Sequence, residues 1–187
     1  GATTGVTVAG GNGQGNAANQ LSNPFAVALA SNGDIYVVDQ LNFRVQKFAS
    51  GSSSSSNGVT VAGGNGQGNA ANQLNWSYDI DIYNGDLYVA DTFNYRIQKF
   101  PSGSSSSTNG VTVAGGNGNG SASNQTKPMS IDIDSSGNIY VMNSISTYSN
   151  FQKWASGATT ATTLPITSLH TGNGLKVDSN GNIYGVS

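Results

Sequence analysis

One 17-residue segment occurs twice in this chain, letter for letter, and it constrains the fold more than any other feature. GVTVAGGNGQGNAANQL runs from Gly5 to Leu21 and again from Gly58 to Leu74, and a looser copy, GVTVAGGNGNGSASNQT, begins at Gly110. The spacing continues outside the segment, since equivalent tyrosines recur 52 residues apart at Tyr36, Tyr88 and Tyr140. A fixed period of this length is typical of propeller blades and not of helical solenoids.

Each period contains four short β-strand signals. In the first period these are FAVAL, IYVV, RVQKF and the GVTVAG that opens the next copy, with the turn SNGD between the first two. Short Gly turns of this kind close tight hairpins. No 11-residue window has a 3.6-residue apolar period, so we expect essentially no helix. The sequence predicts an all-β propeller of four-stranded antiparallel blades, in which GVTVAG is a fourth strand and GNGQGNAANQL links one blade to the next.

The period also predicts how the chain is divided. The repeat units cover approximately 5–57, 58–109 and 110–163, with a partial unit at 164–187, in a single propeller or propeller fragment. TTLPIT at Thr162–Thr167 is a degenerate fourth strand. The chain holds about 3.6 units, whereas propellers close with roughly four to eight blades. The propeller is therefore expected to be incomplete or completed by another chain, with inter-chain edges at Val6, Val8, Ile183 and Val186.

The hairpin segments resemble a known family. PFAVALASNGDIYVVDQLNFRVQKF (Pro24–Phe48) and YDIDIYNGDLYVADTFNYRIQKF (Tyr78–Phe100) share V-[VA]-D-x-x-N-x-R-[VI]-Q-K-F. This pattern resembles the NHL repeat, a β-propeller blade, and the resemblance implies radially arranged four-stranded blades. The third unit departs from it, because Asn143 and Asn150 replace the Asp and the Arg and the turn is longer.

Two charged pairs flank the turn of the second hairpin. Asp39 and Arg44 do so in the first unit, and Asp91 and Arg96 in the second. Facing each other across an antiparallel pair at a sheet surface, they would contribute roughly 0.2–1 kcal/mol. We interpret these four residues as hairpin clamps and not as catalytic groups.

The sequence offers little chemistry for catalysis or cofactor binding. The loop GGNGQGN is followed by neither a lysine nor a helix, which argues against phosphate binding. Aspartates on or beside the first strands are either ligands of a hard cation in the channel or solvated residues; they are Asp79, Asp81, Asp132, Asp134 and Asp178. His170 is the only histidine, and we expect it in a surface loop. We therefore predict no enzyme activity, no metal and no cofactor.

Charge and composition limit the classes of partner. Only 9% of the residues are charged and the net charge is −2, so the basic face that nucleic acids require is missing. No apolar run is long enough to insert into a membrane. Few charges and abundant Gly, Ser, Asn and Thr indicate an extracellular or cell-surface location. Three N-glycosylation sequons occur, at Asn75, Asn119 and Asn124.

Two functions remain open at this point. The first is a non-catalytic extracellular NHL-type propeller that serves as a scaffold or binding module for protein or glycan partners. The second is a structural subunit that self-assembles into a ring or filament by sharing strands between open blades.

Overall fold

The chain forms three four-stranded antiparallel sheets and one two-stranded sheet. The structure is a computed structural model that describes residues 4–145, 148–166 and 174–186. Sheet 1 contains β1 (Pro24–Leu29), β2 (Ile35–Asp39), β3 (Arg44–Phe48) and β4 (Val59–Gly63), and sheet 2 contains β5 (Asp79–Tyr83), β6 (Asp86–Asp91), β7 (Arg96–Phe100) and β8 (Val111–Gly115). Sheet 3 contains β9 (Pro128–Ile133), β10 (Ile139–Ile145), β11 (Tyr148–Trp154) and β12 (Thr162–Leu164), and sheet 4 contains β13 (Gly174–Val177) and β14 (Ile183–Val186).

The strands of every sheet follow chain order, so each sheet is a series of hairpins. The second copy of GVTVAG supplies β4 and the third copy supplies β8, each as the last strand of its sheet. The only helical turns in the described ranges are two 3-10 turns, Gln40–Asn42 and Thr92–Asn94. The predicted all-β class and the four-stranded antiparallel units are confirmed.

The sheets pack face to face along the chain, with their first strands adjacent. β1 contacts β5, β5 contacts β9, and β9 contacts β13. Three apolar clusters fill the spaces between successive sheets, and in the first of them Val38 of sheet 1 packs with Ile80 and Val89 of sheet 2. This arrangement places the start of all first strands at one end of the molecule.

The first copy of GVTVAG does not form the strand that we predicted. Residues 5–10 have no strand conformation, and the Val6 side chain is 84% exposed. In the later copies the segment pairs with the third strand of a preceding sheet, and the described residues contain no such strand before position 24. A strand needs a partner for its N–H and C=O groups, which explains why identical sequences have two conformations. The predicted edge residues Val6 and Val8 therefore lie in an extended segment without strand pairing.

Sheet 3 differs from the first two sheets in its second hairpin and in its last strand. In its second hairpin the pairing of β10 and β11 continues to Ile145 and Tyr148. β12 is shorter than the predicted strand at Thr162–Thr167, because Pro165 follows Leu164 and has no N–H to donate to a ladder. In the described ranges no helix is long and apolar enough to cross a membrane.

Candidate functional site

The predicted clamp residues form a buried network at the end of the first sheet. The Asp39 carboxylate is fully buried and accepts hydrogen bonds from the Ser22 N–H at 2.6 Å, the Asn42 amide at 2.8 Å and Arg44 Nε at 2.7 Å. Asp39 and Arg44 are directly opposite in the ladder. The prediction placed this pair at a sheet surface, and that placement was wrong, because the carboxylate has no contact with solvent.

Arg44 also fastens the glycine-rich link to the sheet that follows it. Its guanidinium donates to the carbonyl oxygens of Asn16 at 2.9 Å and Ala17 at 3.0 Å. Sheet 2 repeats these contacts, with Arg96 donating to Asn69 at 3.0 Å and Ala70 at 2.9 Å. The repeated phrase is thus held in one conformation by an arginine of the hairpin beneath it.

Sheet 3 builds the same network without charge. The Asn143 side-chain oxygen accepts from the Lys127 N–H at 2.9 Å, as Asp39 accepts from the Ser22 N–H. Its amide donates to Asn150 and to Gln152, each at 2.8 Å. Both charged residues are replaced together because two amides can satisfy each other where an unpaired buried charge would be costly.

The carboxylates of the first strands connect neighbouring sheets. Asp79 accepts from the Ser130 hydroxyl at 2.6 Å and from the Ile131 N–H at 2.9 Å. Asp81 accepts from the Ile133 N–H at 2.9 Å, and Asp132 accepts from the Val177 N–H at 2.6 Å. We call Asp79, Asp81 and Asp132 the inter-sheet carboxylates, because each bonds the backbone of the next first strand.

These contacts bear on the hypothesis of a channel cation. Within the described ranges no group of three or more His, Cys, Asp or Glu residues is arranged to hold a metal ion. Asp134 and Asp178 lie in the turns of the first hairpins, where Asp178 accepts from the Asn182 amide at 2.8 Å. That hydrogen bond and others to neighbouring N–H groups hold the pKa of Asp178 below its usual value. Asp79, Asp81 and Asp132 therefore connect neighbouring sheets, whereas Asp134 and Asp178 stabilise hairpin turns.

Burial changes the acidity of the inter-sheet carboxylates. Desolvation raises the pKa of Asp79 to about 6, against the opposing effect of the hydrogen bonds from Ser130 and Ile131. Desolvation also raises the pKa of Asp81, and the nearby charge of Asp132 adds to that increase. Burial raises the pKa of Asp91 in the second clamp as well. The interior of the sheet stack therefore contains carboxyl groups that resist ionisation.

Four aromatic side chains cluster where the first strands begin. The rings of Phe25 and Tyr78 are 4.6 Å apart edge to face, Tyr78 and Phe93 are 6.4 Å apart, and Trp76 and Phe93 are 6.2 Å apart. Lys127 Nζ lies 5.4 Å from the centre of the Phe93 ring. Phe25 is 40% exposed and Phe93 is 43% exposed. We call Phe25, Trp76, Tyr78 and Phe93 the aromatic surface.

Trp76 has an unusual backbone conformation within this surface. Its φ is +48°, in the left-handed region that bulky residues rarely occupy. Asn23 holds the equivalent position before sheet 1 with φ +54°, and Asn tolerates this region much better than Trp. A strained residue of this kind persists where the surrounding structure enforces it, often at a binding site.

The aromatic surface is not among the sites predicted from the sequence. The available signal was the alignment of the two hairpin units, which places Phe25 over Tyr78 and shows Trp76 replacing Asn23. Such a substitution between near-identical repeats marks a position at which one unit differs in chemistry from the other.

The three sequons differ in accessibility. Asn119 and Asn124 are exposed. Asn75 is half-buried, its side-chain oxygen accepts from Gln67 at 2.8 Å, and Ser77 of the same sequon is only 4% exposed. Of the remaining predicted residues, Ile183 is half-buried in β14, and His170 lies outside the described residues.

No family model matches the sequence, and no curated protein sequence is significantly similar to it. Solved structures do match. A streptogramin B lyase aligns with a TM-score of 0.60 at 10% identity, over 87% of this chain and 47% of that one. The fold is a β-propeller. A catalytically inactive virginiamycin B lyase from Staphylococcus aureus with quinupristin aligns with a TM-score of 0.56 at 11% identity, over 87% of this chain and 54% of that one.

A candidate 6-phosphogluconolactonase from Bacteroides uniformis also aligns, with a TM-score of 0.55 at 11% identity, over 87% of this chain and 46% of that one. The chain thus spans about half the length of these three structures. At such identities the likeness shows the fold alone.

These comparisons correct one prediction. We predicted that the chain is not an enzyme, because it has a single His, no Cys and no Glu. That prediction is wrong as a deduction from the fold and composition, since structures of this fold are named as lyases and as a candidate lactonase. Propellers carry many unrelated functions, and the fold by itself assigns no reaction to this chain.

Proposed function

We propose that this chain is an NHL-type propeller that binds a protein partner through the aromatic surface. The observation that carries the proposal is the cluster of Phe25, Trp76, Tyr78 and Phe93, in which two rings are at least 40% exposed. Tyr, Trp and Phe are enriched at the centre of protein interfaces, where they contribute most of the binding energy.

The conformation of Trp76 supports this role. A Trp with φ +48° at a position where the neighbouring repeat has Asn costs folding free energy of about 1–3 kcal/mol. The cost is consistent with a side chain retained for contact with a partner. Lys127 lies over the Phe93 ring at the margin of the surface and adds a positive charge there.

The substitution Trp76→Asn provides the sharpest test. It removes the largest ring and relieves the backbone strain, so the protein should fold at least as stably as the parent. A displayed peptide library selected on the parent protein should yield aromatic or apolar peptides that bind the variant at least about tenfold more weakly, which corresponds to about 1.4 kcal/mol.

The matched control is Tyr184→Ser, which removes a 57% exposed aromatic ring in sheet 4, outside the aromatic surface. The selected peptides should bind this variant as they bind the parent. Equal binding to the parent and to Trp76→Asn would contradict the proposal. Binding to a glycan array that depends on Trp76, without peptide binding, would replace the protein partner with a glycan.

We also propose that the chain works outside the cell, as the composition indicates. Asn119 and Asn124 are exposed sequons, whereas Asn75 has its side chain engaged by Gln67. Peptide mapping of protein secreted by a eukaryotic host should find glycans at Asn119 and Asn124 and none at Asn75. Absence of glycans at both exposed sites would count against this location.

A second candidate function is self-assembly, and the open face of sheet 1 favours it. Val27 is 67% exposed and Leu29 is 71% exposed. The residues at the position of Val27 in sheets 2 and 3 are Ile80 and Ile131, which the preceding sheets bury to 4% and 3%. An apolar sheet face of this kind is an interaction surface, and we propose a second copy of the chain as its cover.

A further inference from the structure

A cavity of about 480 Å³ lies between the outer strands of sheets 2 and 3. Its lining includes Tyr88, Val113, Asn117, Ile139, Trp154 and Ser156. This volume falls within the range of roughly 300–1,000 Å³ that is usual for small-molecule sites. The corresponding groove between sheets 1 and 2 measures about 190 Å³. A further cavity of about 470 Å³ lies between the first hairpins of sheets 1 and 2, at a different position. At equivalent positions on the outer strands, the groove between sheets 2 and 3 is the larger one.

A shorter connection in sheet 3 accounts for the difference. Ten residues join the third and fourth strands in sheets 1 and 2, at 49–58 and 101–110, whereas seven residues, 155–161, join them in sheet 3. In sheets 1 and 2 the longer connection covers the link, because the Ser54 and Ser106 carbonyls accept hydrogen bonds from Asn12 and Asn65.

Asn117 occupies the same position in the third copy of the phrase and lines the cavity instead. Its amide donates to the carbonyl oxygens of Gly115 and Asn124. The described residues show no hydrogen bond from Asn117 to the short connection. The shorter connection of sheet 3 thus leaves open space and the exposed side chain of Asn117 at this interface.

Trp154 supplies a hydrogen-bond donor that the other sheets lack. Phe48 and Phe100 stand at the same position of sheets 1 and 2. The Trp154 side chain is 1% exposed, and its indole N–H has no hydrogen-bond partner among the described residues. The indole nitrogen is itself buried, so this donor is not available to a molecule in the cavity, and Trp154 contributes a buried aromatic wall to it.

The cavity has little net charge to offer a ligand. Lys99 is the charged residue in its lining, and its ammonium group pairs with Asp86 at 2.7 Å and lies 5.7 Å from the centre of the Tyr88 ring. Val113 and Ile139 provide apolar contact, while the exposed side chains of Asn117 and Ser156 provide polar contact. This combination suits a neutral molecule with an apolar ring face and several hydroxyl groups.

We propose that the cavity between sheets 2 and 3 binds a neutral sugar unit, with Asn117 and Ser156 contacting its oxygens and the buried Trp154 lying directly behind the site. This site is separate from the aromatic surface, because it lies on the outer strands and not at the start of the first strands. Its occupancy does not depend on the proposed protein partner.

Tryptophan fluorescence tests the proposal directly, because the chain has only Trp76 and Trp154. In Trp76→Phe, Trp154 is the only tryptophan, and excitation at the red edge of its absorption band selects it over the tyrosines. Titration of this variant with glucose, galactose, mannose and N-acetylglucosamine should give a saturable change in emission with at least one sugar. Trp154→Phe, which copies sheets 1 and 2 and keeps Trp76, should show no change. Inorganic phosphate is the charged probe and should have no effect.

A second variant separates the cavity from the tryptophan. Replacing residues 155–161 of Trp76→Phe with PSGSSSSTNG, the connection of sheet 2, should close the cavity and abolish the sugar response while the circular dichroism spectrum stays unchanged. The response should persist in Trp76→Asn, which removes the proposed protein site. A response that survives the loop replacement, or no response to any of the four sugars, would overturn the proposal.

Discussion

Asp79 is a half-buried residue whose environment differs strongly from that of a solvated carboxylate. It lies between β5 and β9, accepts hydrogen bonds from both strands, and has its pKa raised to about 6 by burial. The sequence places it on the first strand but does not show its surroundings, because its partner Ile131 is 52 residues away. Alternation identified the strand, and only packing between sheets decides that this acid is buried.

Stability should therefore fall as the pH rises from about 4 to about 6. Asp79 has a higher pKa in the folded protein than its ordinary value of 3.8, so folding favours its protonated form. The stabilisation is complete below about pH 4 and is lost as the pH rises through about 6. A shift of about two units corresponds to about 3 kcal/mol. Urea unfolding at intervals from pH 4 to pH 7 measures it.

The variant Asp79→Asn should flatten this pH dependence, leaving the smaller contributions of Asp81 and Asp91, because burial also raises the pKa of each of these groups. Asp34→Asn is the matched control. Asp34 lies in an exposed turn where the Ser50 N–H and the Asn32 amide lower its pKa, so its loss should leave the fall in stability intact. An unchanged profile in Asp79→Asn would show that another group is responsible.

The second hairpin of sheet 2 and the glycine-rich link above it are held together by one buried ion pair and its hydrogen bonds. Arg96 bonds Asp91 and three carbonyls of the link, and Gln98 Oε1 beside them has no hydrogen-bond partner in the described ranges. In sheet 3 the equivalent oxygen, Gln152 Oε1, accepts from the Asn143 amide. The neutral network of sheet 3 thus satisfies an acceptor that is left without a partner in sheet 2, whereas in sheet 1 the Thr60 hydroxyl donates to the equivalent Gln46 Oε1.

We expect Arg96→Ala to cost about 3–5 kcal/mol of unfolding free energy, because it leaves the buried Asp91 carboxylate without its counter-ion. The double variant Asp91→Asn, Arg96→Asn copies sheet 3 and should cost less than the single change, since an amide at position 91 can donate to Gln98. Chemical denaturation of the three proteins gives the comparison. A double variant less stable than Arg96→Ala would contradict the equivalence of the two networks.

Most strands were predictable from the sequence, because alternation and the Gly turns are local signals. The Asp and Arg of each clamp were predictable for the same reason, since they flank one turn. The conformation of Gly5–Gly10 was not predictable, because it depends on whether a partner strand is present, which the local pattern does not show. The aromatic surface and the cavity were also missed, since each is formed by residues from two units whose side chains meet only after the sheets stack.

For the whole molecule, the main feature is a ring of sheets that remains open. Sheet 1 presents Val27 and Leu29 to solvent, at positions that are covered in the following sheets. The three solved structures described above are about twice as long as the part of this chain that aligns with them. The space beside sheet 1 is therefore where a further part of a propeller would pack.

The 187-residue chain should self-associate in solution at micromolar concentration, as measured by light scattering. The double variant Val27→Lys, Leu29→Lys should be monomeric and retain its fold, because both side chains are already exposed. Val111→Lys, at a position that is 62% exposed in sheet 2, is the control and should associate like the parent. A parent protein that is monomeric at these concentrations would exclude a second copy as the cover.

The inter-sheet carboxylates give the stack a direction. Asp79 and Asp81 accept hydrogen bonds from the N–H groups of Ile80 and Ile82 in their own strand. They also accept from the N–H groups of Ile131 and Ile133 in the first strand of the next sheet. A duplicated sheet 2 would meet a preceding copy with its Ile80 and Ile82 N–H groups already bonded to its own aspartates. Sheet 3 has Ser130 at the position of Asp79, and its Ile131 N–H bonds the preceding sheet instead. Duplication of the sheet 2 unit therefore has to be followed by substitution of an aspartate before the new sheet can join the stack in the same way.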